Sequence, residues 1–230
     1  MATDRRRMPQ EGFLMDVQSI WKEAWEYSSQ ERGYDKINKK DFRQSSRTSK
    51  VNPNGENYDW WYNNGQKFVE SWIEWRDGSG WKLWTTPQGA PAVELKLDIK
   101  IGGIYMTGAI DRIFETPDGE LVILDLKTGT RTPQSDLQLA IYACMMEVAI
   151  GVRPNWGTYW MARQGTTTPP VSLESMTLQK LDELVALFEK ARREKVFLPN
   201  FDTCKMCSVS DFCYWKNGSK SEPLGEINVK

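Results

Sequence analysis

Hydrophobic positions along the chain change period several times, and each change marks an element. Within residues 58–75 the apolar side chains Trp61, Phe68, Trp72 and Trp75 recur at intervals of seven, four and three. That is the stripe of an amphipathic helix packed on a sheet. Asp77-Gly78-Ser79-Gly80 breaks the stripe, and four β-rich runs follow at 81–85, 92–99, 104–114 and 120–126, read as strands joined by tight turns. Helical spacing returns over 133–150, a strand follows at 155–161, and a second strong helix covers 178–195. Upstream, 19–27 reads as a short helix, and 28–56 is polar and aperiodic, a long loop or arm. The order predicts an α/β fold with a central mixed β-sheet flanked by helices. It divides the chain into a helix and basic arm (1–57), a core (58–198) and a cysteine-containing tail (199–230).

Composition narrows the class. At 230 residues the chain supports one sizeable core, and 40% hydrophobic with 27% charged residues is the balance of an ordinary globular protein. The first ten residues lack the apolar stretch of a secretory signal, and no segment approaches the ~18 apolar residues of a membrane span. The expected location is therefore cytoplasmic, where four cysteines are free or ligate a metal or cluster rather than pairing as disulfides. With 30 Lys+Arg against 31 Asp+Glu, no whole-molecule field draws the chain onto a polyanion. Any nucleic-acid contact must use local patches. Lys36, Lys39, Lys40, Arg43, Arg47 and Lys50, opposed only by Asp41, form one candidate; a solvated basic loop is the competing reading.

The candidate chemistry lies on a hairpin. Thr116-Pro117-Asp118-Gly119-Glu120 is a turn in which Gly119 can adopt the left-handed conformation. If the turn centres on Asp118, Asp111 and Asp125 lie opposite each other, and opposed residues share a face. Lys127, two residues beyond Asp125, joins them. Two opposed acids repel unless a cation lies between them, and a hard divalent ion such as Mg²⁺ takes oxygen ligands beside a phosphate-bearing substrate. A lysine there can orient or deprotonate water, or stabilise charge on the phosphate. Glu94, on the preceding strand, could supply a further carboxylate, although the turn between 99 and 104 does not fix its register. The bland alternative is a set of sheet-edge charges near water.

Gly108-Ala109-Ile110-Asp111-Arg112, then Asp125-Leu126-Lys127-Thr128-Gly129, then Gln138-Leu139 with Tyr142, occur in an order that resembles the RecB-type branch of the PD-(D/E)XK nuclease superfamily. The likeness is greatest to the CRISPR-associated RecB-like exonucleases and their bacteriophage relatives, and it covers roughly residues 58–215. The resemblance implies that Asp111, Asp125 and the backbone carbonyl of Leu126 bind Mg²⁺ or Mn²⁺, and that Lys127 is the catalytic lysine. Gln138 and Tyr142, one helical turn apart, fall on a motif associated with the active site and DNA; a polar cap and a half-buried packing aromatic are the alternative reading. Two departures stand out. Relatives often carry a metal-binding histidine on the helix before the sheet, but this chain has no histidine. Val69 stands in its place, leaving Glu70 or Glu94 to substitute or one metal position weakened.

Cys204, Cys207 and Cys213, flanked by Phe201, Phe212, Tyr214 and Trp215, have spacing suited to a soft metal or cluster. By resemblance they would join a distant cysteine around a 4Fe-4S cluster. Cys144, the only other cysteine, sits in a predicted core helix where a buried free thiol is the common case. A non-cysteine ligand, an incomplete cluster, zinc or plain structural cysteines remain as alternatives. Of the 11 tryptophans, Trp61, Trp72 and Trp75 are expected in the core and Trp60, Trp81 and Trp84 nearer the surface. The combined reading is a metal-dependent DNA nuclease, an exonuclease by resemblance, acting on single-stranded or free-ended DNA. Its rival is a catalytically weak DNA-end-binding or scaffold protein that keeps the fold.

Overall fold

The computed structural model describes residues 16–31, 48, 50, 53–196, 200, 204, 207, 208 and 210–213. Of the basic stretch expected to contact nucleic acid, only Lys50 falls among them, and it is exposed. The described chain forms two compact units, Met1–Asp182 and Glu183–Lys230.

In the first unit, helix α1 (Val17–Glu31) starts at Asp16, whose carboxylate accepts the Gln18 and Ser19 amides. It extends beyond the expected 19–27 into the stretch read as loop. Helix α2 (Tyr58–Gly78) is capped by Asn57, which accepts the Trp60 amide at 2.9 Å. Such a bond satisfies one of the donors a helix start leaves open. The two helices meet at Gly65, where an added Cβ would lie 2.2 Å from the Trp21 ring. Trp21 also donates its indole N–H to the Tyr62 carbonyl at 2.8 Å.

Strands β1 (Lys82–Leu83), β2 (Val93–Ile101), β3 (Ile104–Glu115), β4 (Leu121–Lys127), β5 (Trp156–Met161), β6 (Thr166–Thr167) and β7 (Val171–Ser172) form a single sheet among the described residues. Its order is β1-β3-β4-β5-β6, with β2 also on β3 and β7 also on β5. β2, β3 and β4 are antiparallel neighbours, while β4 and β5 are parallel and joined through helix α3 (Leu137–Ile150). A parallel pair needs such a crossover. The mixed sheet flanked by helices is therefore as expected, while the two-residue strands β6 and β7 are too short to leave a periodic signal.

Alternation along β4 and β5 splits the core in two. Ile123, Tyr159 and Met161 pack with Leu139, Ala143, Met145 and Met146 of α3. On the other face Leu124, Trp160 and Phe114 pack with Trp72, against which Phe68, Trp75 and Trp81 also rest. Trp60, Trp81 and Trp84 are half-buried rather than surface residues: Trp81 rests on the α2-facing core, Trp84 on the α3-facing one, and Trp60 against Trp61 and Phe68. Trp61 is half-buried but lies beside Trp60 and Arg163 instead of in either cluster. Helix α3 begins at Leu137 rather than at 133; Pro133 and the polar residues after it extend the loop. It ends at Gly151, whose φ of 76° is the left-handed cap that glycine permits.

Helix α4 (Leu178–Arg193) starts in the first unit, where Leu181 is fully buried. In the second unit, Arg192 and Arg193 both pair with Glu189 at 2.7 Å. The Arg192 hydrogen bond, then that of Arg193, holds the Glu189 carboxyl down to about 2. Among the described residues no helix is long and apolar enough to cross a membrane.

Candidate active site

The register of the β3–β4 hairpin follows from its turn. Gly119 takes a φ of 83°, its amide donates to the Thr116 carbonyl at 2.9 Å, and the Thr116 amide donates to the Glu120 carbonyl at 2.9 Å. Pairing then runs Glu115↔Leu121, Phe114↔Val122, Ile113↔Ile123 and Arg112↔Leu124. The next position in this register sets Asp111 opposite Asp125. There the ladder gives way to a side chain: Asp111 Oδ2 accepts the Leu126 amide at 2.8 Å. On β4, Asp125 and Lys127 alternate with Leu124 and Leu126 of the α2-facing core, so they project to the α3 side.

Asp125 is only 4% exposed. Burial pushes its carboxyl above the usual carboxylate range; Lys127 opposes that shift, and the charge of Asp111 adds to it. Lys127 Nζ stands 2.6 Å from the buried Asp125 Oδ2 as an ion pair. One ammonium contact leaves a carboxylate oxygen with a further lone pair to offer. A carboxylate whose burial outweighs its pairing is costly, and its further lone pair suits a cation. Hard divalent ions are held by one or two carboxylates, backbone carbonyls, waters and substrate phosphate, and Asp111, Asp125 and the β4 backbone at Leu126 are donors of that kind.

Lys127 is held from two sides. Its Nζ donates to Gln138 Oε1 at 3.1 Å, and Gln138 Nε2 donates to the Tyr142 hydroxyl at 3.1 Å. Both α3 residues thus reach the strand-borne site, as their one-turn spacing requires. The ammonium also lies 5.5 Å from the centre of the Tyr159 ring. Tyr159 donates its hydroxyl to the Ser135 carbonyl at 3.1 Å. Burial first, then the charges of Asp136 and Asp125, push its phenol up to about 12. It serves as a fixed neutral wall beside the lysine. Nothing in the sequence pointed to Tyr159 except its place on the strand parallel to β4, where it pairs with Asp125. Beside Gln138 and Tyr142 opens a groove of about 360 Å³, lined also by Gly108, Ile141 and Met145.

Glu94 is placed by a signal that sequence reasoning passed over. Gly102 and Gly103, with φ of 57° and 77°, close a two-residue hairpin that pairs Ile101 with Ile104, the turn that suits strand twist. The β2–β3 ladder then includes Leu95↔Ile110 and Val93↔Arg112, which brings Glu94 level with Asp111. Glu94 itself has a φ of 46°, a conformation non-glycine residues adopt only where their surroundings impose it. Among the described residues, however, no group of three His, Cys, Asp or Glu side chains converges to hold a metal ion. Glu70 accepts from Gln66 Nε2 at 2.7 Å.

The same holds for the cysteines of the second unit. Cys204, Cys207 and Cys213 follow one another through backbone turns, Cys207 to Cys204 at 3.4 Å and Cys213 to Ser210 at 3.4 Å, without converging as a ligand set. Cys144 in the first unit is buried and engaged locally, its thiol donating to the Met176 carbonyl at 3.5 Å and accepting from Arg153 at 3.6 Å.

Two phage proteins, each described as "Gene 69 protein", are similar in sequence. That of Mycobacterium phage D29 is 34% identical over 179 residues, 68% of this chain and 66% of the relative. That of Mycobacterium phage L5 is 30% identical over 198 residues, 68% of each. The chain thus spans about two thirds of the length of the curated relatives it matches. A solved structure titled "Crystal structure of SSO0001" aligns over 69% of this chain and 72% of its own at 13% identity, with a TM-score of 0.34, a level from which nothing further follows. The model of the PD-(D/E)XK nuclease superfamily matches residues 19–214, enclosing the hairpin, its lysine and the helix that holds it. This chain belongs to the PD-(D/E)XK nuclease superfamily.

Proposed function

We propose that the protein hydrolyses phosphodiester bonds of DNA from free ends, as an exonuclease in phage or bacterial DNA recombination, repair or processing. Nucleases of this superfamily use divalent metals such as Mg²⁺ or Mn²⁺. Asp111, Asp125 and the Leu126 carbonyl are the groups that would hold one. When bound, such an ion supplies positive charge at the scissile phosphate and acidifies the attacking water. The remaining work falls to this chain's own residues. Lys127 presents its ammonium where negative charge grows on the phosphate oxygens, which is where fixed charge is most effective. Gln138 fixes the direction of that ammonium through the 3.1 Å bond, and Tyr142 fixes Gln138. Tyr159 and the core beneath it keep water away from one side of the lysine.

The observation that carries the reading is the buried carboxylate of Asp125, 2.6 Å from the lysine and beside the charge of Asp111, with its charged form disfavoured by burial. A cation held between the two acids would offset that cost. The test uses end-labelled linear DNA, single- and double-stranded, beside covalently closed circles, with Mn²⁺ or Mg²⁺. Linear DNA should be shortened from its ends, closed circles should survive, and Asp125→Ala should abolish cleavage. No cleavage with any divalent ion would sink the nuclease reading in favour of an end-binding protein; equal cutting of circles would sink the exonuclease part alone.

A further inference from the structure

Lys127 is the last residue of β4, and the β3–β4 ladder has already ended at Leu124. From there the strand end is held by the parallel ladder to β5, where Lys127 pairs with Met161, and by the Ala162 amide donating to the Lys127 carbonyl at 2.9 Å. Residues 128–132 beyond it are exposed. One side chain restrains this end from outside the sheet. Arg163 donates from Nε to the Thr128 carbonyl at 2.8 Å and from its two terminal nitrogens to Glu56 Oε1 and Oε2, each at 2.9 Å. The Glu56 and Arg163 side chains are only 9% and 18% exposed. The guanidinium lies 5.1 Å from the Trp60 ring centre and 5.4 Å from that of Trp61.

A buried ion pair gains little net stability over an apolar replacement, so stability alone is a poor account of it. A planar guanidinium using three donors at once in one plane, by contrast, specifies one geometry. It ties the segment before α2, the turn after β5 and the residue following Lys127 into a single arrangement.

We propose that Arg163, anchored by Glu56, is a positioning residue for Lys127: it fixes the end of β4 so that Nζ stays between Asp125 and Gln138. This rests on the reading of Lys127 as the amine that acts at the phosphate. Lysine at 163 can keep the charge and one contact to Glu56, but lacks the planar fork that reaches Thr128 at the same time. A displacement of about 1 Å at a reacting centre costs on the order of a hundredfold in rate.

The test compares wild type, Arg163→Lys and Glu56→Gln by two readouts. Amide exchange followed by NMR needs no activity. In both variants the Ala162 amide should exchange at least ~10-fold faster while those of Ile123 and Leu124 keep their protection, the mark of local rather than global opening. In steady-state cleavage, kcat per folded molecule should fall ~10- to 100-fold in Arg163→Lys with KM changed less than ~3-fold. Unchanged Ala162 exchange, or a kcat loss matched by an equal loss of folded protein, overturns the proposal. A wild type that never cleaves defeats the nuclease reading instead, and the exchange result then decides the clamp by itself.

Discussion

Asp125→Asn should make the metal-free protein more stable while destroying its activity. The carboxylate is 4% exposed, its charged form is disfavoured by burial more strongly than Lys127 restores it, and Asp111 adds repulsion. Asparagine keeps the shape and removes the charge. Lys127 is not stranded by the change, because its side chain is 28% exposed and keeps Gln138 as acceptor. Relief of a buried charge whose pairing does not repay its burial is worth about 1–2 kcal/mol. For a chain of this size that raises Tm by roughly 2–8 °C, readable by calorimetry in EDTA. The pH sign follows from the same shift. A carboxyl whose folded value lies above the unfolded 3.8 destabilises the fold when ionised, so stability rises as pH falls through the raised folded value toward the unfolded one. The advantage of Asp125→Asn should therefore shrink on acidification and vanish below both. Metal reverses the order, since an ion held a hundredfold above its Kd stabilises wild type by about 2.7 kcal/mol and the variant, with a ligand gone, far less. A variant that melts below wild type in EDTA, or gains as much from Mn²⁺, refutes the reasoning.

Four further changes probe the helices and strand around that centre. Gln138→Ala removes the acceptor that directs Lys127 Nζ and should lower kcat ~10-fold or more with little change in DNA binding; Tyr142→Phe, which frees only the far side of Gln138, should lower it less, as single-turnover cleavage would show. Gly108→Ala would put a Cβ 2.9 Å from Met145 Sδ and 3.2 Å from Tyr142 Cε1, and because Met145 is buried the strain of about 1–3 kcal/mol should appear as a lower Tm. Asn57→Ala deletes the cap of α2 and should cost about 1 kcal/mol in denaturant titration without moving kcat.

The parts of this protein that could be read from sequence are those set by local periodicity. The stripe of Trp72 and Trp75, the alternation of 121–127 and the Pro-Asp-Gly turn each depend on neighbours a few residues away, so helix α2, strand β4 and the opposition of Asp111 to Asp125 follow by counting. Elements failed where local period gave no signal or tertiary packing decided. Helix α1 runs four residues past its expected end, to Glu31, through polar positions with no hydrophobic period to mark them, while Trp21 and Trp25 within the expected part fix it on Tyr58 and Tyr62. Trp81 and Trp84 read as surface residues because their strand is short, yet each rests against one of the two cores. The register of Glu94 was in fact written in Gly102-Gly103, a two-residue hairpin signal.

The centre and its clamp differ in the same way, which bears on how such a site is kept. Asp111, Asp125 and Lys127 are brought together by one hairpin and one strand, so any sequence that folds the hairpin carries the repulsion of its two acids as well. The opposing stabilisation comes from Ile110, Ile113, Ile123 and Leu124, all fully buried around them. That core fixes the strands but not the ammonium, which stands beyond the last β3 pairing at the end of β4. Its direction depends on residues far apart in the chain: Gln138 on α3, Tyr159 on β5, and Glu56 with Arg163 across 107 positions. A motif of Asp and Asp-x-Lys can thus survive while the lysine is misdirected. Loss of Arg163 with the motif intact would separate the two, leaving metal binding and ending efficient cleavage.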